Sequence, residues 1–303
     1  MGDVSIFGSI NIDLVTYVHK VPDLGETVTG GTYRSFKGGK GANQAVAAAR
    51  AGAQVRLYAC VGDDSFGLQY LQSLKDAGID CRGICIKKDS HTGIAQIMVD
   101  KEGNNIIAVA PGANFSFKPE DIIEHQPAEG VGQVALFQNE IPQSTTEKLI
   151  EICRQKRMTV IWNIAPAPGQ QPSTTTLESV DFLICNQIEL QVITDSDSIE
   201  GATEQLLNSG LKRIIVTMGA DGLWVLDAKR KWHQPAFKVN PVDTVGAGDC
   251  FCGVFASELS KGCSIELSLK RASAAAALST LQKGAQTSMP GAAQIDEFMA
   301  GSI

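Results

Sequence analysis

Val134-Ala-Leu-Phe137, Val160-Ile-Trp162, Phe182-Leu-Ile-Cys185 and Ile214-Ile-Val-Thr217 are four short apolar runs separated by segments of helical pattern. An uninterrupted apolar run of this length suits a strand buried on both faces, and a helix between successive strands lets them lie parallel. The predicted class is therefore α/β with a mostly parallel sheet. Upstream, Val4 to Gly8 and Val55 to Val61 read as further strands. Each precedes a helix: the alanine-rich Gln44 to Ala51, closed by Gly52, and Ser65 to Ala77 with Phe66, Tyr70, Leu71 and Leu74 on one face. Pro22 to Thr27 lies in an irregular polar stretch that cannot be helical. Thr92 to Ala110 breaks the rhythm with two alternating arms around Asp100 to Asn105, a hairpin expected to belong to a separate sheet or lid. Downstream, Leu223 to Leu226 and Trp232 to Phe237 read as an edge hairpin, and helices at roughly 247 to 260 and 264 to 281 finish the chain. There is no internal repeat or linker.

The 303 residues suffice for one large domain or two smaller ones. With 44% hydrophobic and 19% charged residues and a mean hydropathy near zero, wholesale disorder and fibrous repeats are excluded. Thirty glycines exceed the usual share of roughly 7%, and they are bunched. Twenty-six basic against 33 acidic residues give a net charge of −7 and no general pull toward nucleic acid or an anionic membrane. No apolar run approaches the roughly 18 residues of a membrane span, and Met1 to Gly8 lacks a basic leader, so the expected location is the cytoplasm. Cys60, Cys81, Cys85, Cys153, Cys185, Cys250, Cys252 and Cys263 lie mostly in apolar segments and read as buried free thiols. Cys81/Cys85 and Cys250/Cys252 lack paired C-x-x-C spacing, and His19, His91, His125 and His233 are dispersed, so structural zinc is not expected.

Chemistry is most legible at Asp243-Thr-Val-Gly-Ala-Gly-Asp249, which precedes a strongly helical run. Glycines at a helix start leave N–H groups facing outward and, with the helix dipole, make an anion site. A carboxylate there repels a bound phosphate unless it works, for instance by taking a proton from an attacking hydroxyl; a simple acidic first-turn residue explains Asp249 as well. Gly38-Gly-Lys-Gly-Ala-Asn43 is a second glycine loop before a helix. It lacks Walker spacing, no G-x-G-x-x-G follows the first strand, and a flexible turn with a solvated lysine is its plainer reading. Asn11, Asp13 and Glu140 stand just beyond apolar runs, where ligands of open parallel sheets converge. Asn186 and Glu189 follow another strand end, suited either to hydrated magnesium or phosphate, or to a helix cap.

Together these segments resemble the ribokinase-like (PfkB) family of carbohydrate kinases from end to end. The resemblance is carried by Gly8-Ser-Ile-Asn-Ile-Asp13, Gly25-Glu-Thr-Val-Thr-Gly30, Gly38-Gly-Lys-Gly-Ala-Asn-Gln-Ala-Val-Ala-Ala48, Asn163-Ile-Ala-Pro-Ala167, Asn186-Gln-Ile-Glu189, Thr217-Met-Gly-Ala-Asp-Gly222, Val242-Asp-Thr-Val-Gly-Ala-Gly-Asp249 and Lys283-Gly-Ala-Gln286. It implies a ribokinase-like three-layer α/β/α domain over residues 1 to 303, with a mostly parallel sheet and a small β-sheet lid from segments near 14 to 36 and 84 to 111. The lid would close on the sugar and form a homodimer contact.

The resemblance further implies that Asn11, Asp13, Gly38, Gly39, Lys40, Asn43 and Glu140 bind sugar hydroxyls. Asp249 would be the catalytic base, and Gly246, Ala247 and Gly248 the anion hole. ATP would lie over Thr217, Gly219 and Gly222, extending to Gly248 and Ser273, with Asn186 and Glu189 arranging Mg2+. A monovalent cation, usually K+, would be held at Asp243, Val245, Ser279, Gln282, Gly284 and Ser288. Ile164, Gln187, Ile188 and Ser273 depart from the commonest family pattern and bear on nucleotide affinity more than on the reaction. The implied activity is ATP-dependent phosphorylation of a sugar, ribose to ribose 5-phosphate being the first choice on the strength of Asn11, an amide that offers both donor and acceptor. The alternatives are 2-deoxyribose, less favoured fructose or a nucleoside, and a non-catalytic sugar- or nucleotide-sensing protein.

Overall fold

The computed structural model describes residues 2–130, 132–194, 196 and 198–301. In chain order the strands are β1 (Asp3–Phe7), β2 (Asn11–Tyr17), β3 (Thr32–Gly38), β4 (Gln54–Gly62), β5 (Ile84–Lys87), β6 (Gly93–Val99), β7 (Asn105–Ala110), β8 (Val134–Phe137), β9 (Thr159–Asn163), β10 (Phe182–Asn186), β11 (Arg213–Thr217), β12 (Leu223–Asp227) and β13 (Lys231–Gln234). The helices are α1 (Lys40–Arg50), α2 (Ser65–Asp76), α3 (Gln143–Gln155), α4 (Thr174–Ser179), α5 (Gln187–Thr194), α6 (Ile199–Asn208), α7 (Ala247–Ser260), α8 (Ile265–Ser279), α9 (Ala285–Ser288) and α10 (Ala292–Gly301).

Nine strands form one sheet in the order β13-β12-β11-β10-β9-β8-β1-β4-β5, parallel from β11 to β5 and antiparallel at the β12–β13 edge. The apolar runs read from the sequence are its centre. Alternate residues serve opposite faces, which is why no polar alternation marks them. Ile6, Leu57 and Leu136 join the core shared with α1, α7 and α8, whereas Phe7, Tyr58 and Phe137 join the core under α3 to α6. On that second face Phe7 stacks between Tyr58 at 4.5 Å and Phe137 at 4.8 Å. Each such buried ring contributes about 1.5–3 kcal/mol. Helix starts follow capping chemistry: Asp64 accepts from the Gly67 N–H, Ser198 from Gly201 and Ser264 from Leu267.

The second sheet has four strands, β3-β2-β6-β7. The expected hairpin is β6 and β7, and it does leave the large sheet. Its partners β2 and β3 flank the irregular stretch at Pro22 to Thr27 and overlap the lid segment near 14 to 36 that the resemblance implied. Asn11 pairs with Gly38 on one side and with Gly93 on the other, so one row of this sheet stands where three strands meet the large sheet. Residues 84–87 do not join it, contrary to the lid boundary at 84. As β5 they extend the large sheet beside β4, because Cys60 and Cys85 fall into parallel register there. Two further corrections concern the C-terminal part. β13 stops at Gln234, ahead of Pro235, which has no N–H for a ladder, and α9 and α10 follow the two helices that were expected to end the chain. All eight cysteines are free, but Cys81, Cys85 and Cys263 are only half-buried. Among the described residues no helix is long and apolar enough to cross a membrane.

Candidate active site

In the order of strands, β1 lies between β4 and β8, so the chain leaves β1 toward one edge and later returns to build the other. Such a reversal opens a crevice beyond the carboxyl ends of the strands. Ser9 follows β1 and Glu140 follows β8, and the Ser9 hydroxyl donates to Glu140 across the gap. The same carboxylate accepts the Lys40 N–H at 2.8 Å, placing a negative charge at the start of α1.

Gly246 precedes α7 with φ 78°, a left-handed conformation that glycine adopts without strain. A Cβ there would also come within 2.8 Å of the Ala285 methyl. This turn leaves the Gly246, Gly248 and Asp249 N–H groups without an acceptor among the described residues, while Ala247 donates to the Thr244 carbonyl at 3.3 Å. The expected anion hole thus loses one of its three amides to the turn. Asp249 is 7% exposed and does not face solvent. Its Oδ2 accepts from Asn43 Nδ2 at 2.9 Å and its Oδ1 from Gln44 Nε2 at 3.0 Å.

A cavity of about 160 Å³ is lined by Lys40, Asn186, Glu189, Thr217, Gly248 and Asp249 among others. One space therefore joins residues expected at the sugar, the magnesium ion, the nucleotide and the proton. Its charges act on one another. Burial, then Glu140 and Asp249, push the Asp13 carboxyl up to about 7. Burial opposes the Lys40 ammonium, but Asp249, Glu140 and Glu189 outweigh it and raise its pKa. Burial raises Glu189 as well, against the Asn186 N–H and Lys40.

Apart from Lys40 and Asp249, the residues expected at the sugar are not among those lining this cavity. Asn11 Oδ1 accepts from Asn114 Nδ2 at 2.8 Å, so the acceptor end of the Asn11 amide is already engaged within the protein, which weakens the double donor–acceptor role expected of it. The Gly38 carbonyl accepts from the Tyr70 hydroxyl at 2.7 Å, and a side chain at Gly38 would strike the Asp13 carboxylate. Gly39 is the N-cap of α1. Asn186 and Glu189 cap α5 reciprocally: the Asn186 N–H donates to Glu189 Oε2 at 2.9 Å and the Glu189 N–H to Asn186 Oδ1 at 2.8 Å. The helix-cap reading of this pair is what the hydrogen bonds show, and both residues also line the cavity.

Gly219 opens a short turn after β11, and Gly222 has φ 89°. Ser273 lies apart from the cavity lining and accepts from Gln234 Nε2 at 2.8 Å. Of the residues expected to hold a monovalent cation, Val245 and Gly284 meet at Asp243, whose carboxylate accepts the Val245 N–H at 3.0 Å and the Gly284 N–H at 2.9 Å, tying the loop before α7 to the one before α9. Ser279 and Ser288 donate within their own helical segments, and Gln282 and Ser288 line a separate surface cavity.

Sequence reading missed a polar chain behind Asp249. Gln138 donates to Gln44, Gln44 to Asn163 and Asp249, and Gln286 to both Asn43 and Tyr70. The available signal was a glutamine inside the alanine run of α1 and another directly after a buried strand.

Residues 1–292 match the model of the pfkB family carbohydrate kinases. The chain is 35% identical to a deoxyribokinase of Salmonella typhi, covering 98% of this chain and 99% of that one. It superposes on a ribokinase of Thermotoga maritima with a TM-score of 0.91 and 34% identity, over 99% and 100% of the two chains. An Arabidopsis thaliana ribokinase complexed with ribose and ATP gives a TM-score of 0.89 and 27% identity over 98% of each chain.

Proposed function

Because the chain belongs to the pfkB family of carbohydrate kinases, and so is a sugar phosphotransferase, we propose that it moves the γ-phosphoryl group of ATP to the primary hydroxyl of a pentose, ribose first. The observation that carries this reading is a buried carboxylate, Asp249, at a helix start whose Gly246 and Gly248 amides have no acceptor among the described residues, all facing one cavity. Asp249 takes the hydroxyl proton, the oxygen attacks phosphorus in line, and ADP departs. The Gly246 and Gly248 amides receive charge on the transferring group, and the small sheet closes to exclude water. Asn11, Asp13, Gly38, Gly39, Lys40, Asn43 and Glu140 orient the sugar; Thr217, Gly219 and Gly222 carry the nucleotide, with Ser273 at its far end. The lid segments near 14 to 36 and up to 111 and the large sheet act as one domain.

Magnesium needs only one or two carboxylates besides phosphate and water. Glu189, with one oxygen outside the cap and Asn186 beside it, fits that need. When bound, the ion would neutralise phosphate charge. The oxygen donors of Asp243, Val245, Ser279, Gln282, Gly284 and Ser288 fit a hard monovalent cation such as K+, which would brace the loop presenting Gly246. Ile106, Ile107 and Val109 on β7 are 54–58% exposed, supporting a homodimer through the lid. Eight unpaired cysteines support a cytoplasmic location.

A kinase of 2-deoxyribose is the second reading, favoured by the Salmonella typhi relative and by the engaged acceptor of Asn11. A coupled assay of ADP release over ribose, 2-deoxyribose, fructose and nucleosides, with and without K+, tests both. Ribose should give the highest kcat/KM; a tenfold or greater preference for 2-deoxyribose would reverse the order. Asp249→Ala should lower kcat by about 10²–10⁴-fold with little change in sugar KM, and turnover near wild type would remove Asp249 from the mechanism.

A further inference from the structure

Gln44 is fully buried within the alanine run of α1. A primary amide placed there is costly unless each of its polar atoms is bonded. Its position follows from a close helix crossing. A Cβ on Gly253 of α7 would lie 2.4 Å from the Gln44 carbonyl oxygen and 2.7 Å from the Ala47 methyl, so the two helices approach as only glycine against alanine permits.

That approach sets Gln44 Nε2 3.0 Å from Asp249 Oδ1 and 3.1 Å from Asn163 Oδ1, while Gln44 Oε1 accepts from Gln138 Nε2 at 2.6 Å. The amide cannot be reversed. Its oxygen would then face two acceptors, and its N–H groups would face the Gln138 donor. The arrangement is held despite leaving Gln138 Oε1 buried with no donor among the described residues. An orphaned acceptor of this kind is destabilising, and no core-packing demand explains two linked amides, Gln138 and Gln44, ending on a carboxylate.

We propose that Gln44 is a positioning residue for phosphoryl transfer, its amide locked by Gln138 and Asn163 so that the Asp249 carboxylate stays aimed into the cavity. The inference rests on Asp249 as the base. Three charged groups from different elements interact with that carboxylate, Asp13 of β2 and Glu189 of α5 with like charge and Lys40 of α1 with opposite charge. Without fixed donors it would follow whichever of them dominates as substrate and nucleotide enter. Asn43 holds the second oxygen and is itself held by Gln286.

Gln44→Met keeps the length and removes the donor. Its kcat should fall about tenfold to hundredfold, as for loss of a hydrogen bond to a charged group, with the KM of sugar and of ATP nearly unchanged. The same substitution in an Asp249→Ala background should leave residual turnover within about twofold, since there is no carboxylate left to aim. An unchanged kcat, or an equal fall in both backgrounds, overturns the proposal; the second result would mean that Gln44 serves packing alone. Gln138→Met, one bond further out, should give the same background-dependent pattern with a smaller fall, and it decides the matter should Gln44→Met not fold. Full turnover in Asp249→Ala itself would instead overturn the assignment of the base, a separately readable outcome.

Discussion

Asp13→Asn should stabilise the ligand-free protein, and only above acid pH. The Asp13 carboxyl moves from its ordinary 3.8 to about 7 on folding, through burial and the Glu140 and Asp249 charges. Below 3.8 the group is protonated folded and unfolded, and contributes nothing. As pH rises from 3.8 to 7 the unfolded chain releases the proton that the folded chain retains, so the fold is progressively destabilised. Above 7 the penalty is constant at about 4 kcal/mol. No hydrogen bond holds this side chain among the described residues, so asparagine forfeits none. With an unfolding entropy of roughly 0.6 kcal/mol per degree for a chain of this length, Asp13→Asn should melt about 6 °C above wild type at about pH 8 and level with it near pH 4. Thermal melts of both proteins across that range, without sugar, give the answer. A variant melting no higher than wild type at the alkaline end, or higher by the same margin at both ends, would refute the reasoning. In the proposed function a sugar hydroxyl is the partner this charge lacks, so the same variant should show a raised sugar KM.

Gly222→Ala should weaken ATP binding more than sugar binding, since Gly222 has φ 89° and a Cβ would lie 2.1 Å from the Gln234 carbonyl oxygen; an unchanged KM for ATP would dissociate this turn from the nucleotide. Asn114→Ala removes the partner of the Ile10 N–H and of Asn11 Oδ1, both buried. It should cost about 1–3 kcal/mol of stability and raise the sugar KM while that of ATP stays level, as steady-state kinetics and denaturant unfolding would report.

The strands buried on both faces were legible because nothing polar interrupts them. Leu136 and Phe137 serve opposite cores, so both must be apolar. The small sheet was half legible. Its β6–β7 arm carries a turn signal at Asp100 to Asn105, whereas β3 reads Thr-Tyr-Arg-Ser-Phe-Lys-Gly with five of seven residues exposed and no buried face to impose a pattern. β5 is four residues at an edge, too short for a period to register. At the site, the Gly246 to Asp249 turn and Lys40 were legible because glycine bunching and helix onset are local properties. Gln138, Gln44 and Gln286 were not, since each becomes meaningful only when strands and helices more than ninety residues apart are brought together.

Asn11, Gly38 and Gly93 occupy one row of the small sheet, at the line where three of its strands leave or enter the larger layer. Two of those three positions belong to the proposed sugar site. Under the proposed function recognition and hinge would share the same row: a substitution there would not tune which hydroxyl is preferred without also altering how readily the cover swings shut. Variants selected for a new sugar should accordingly accumulate changes one layer back, at Asn114 or Tyr70, where the row can be re-aimed while its flexure is preserved.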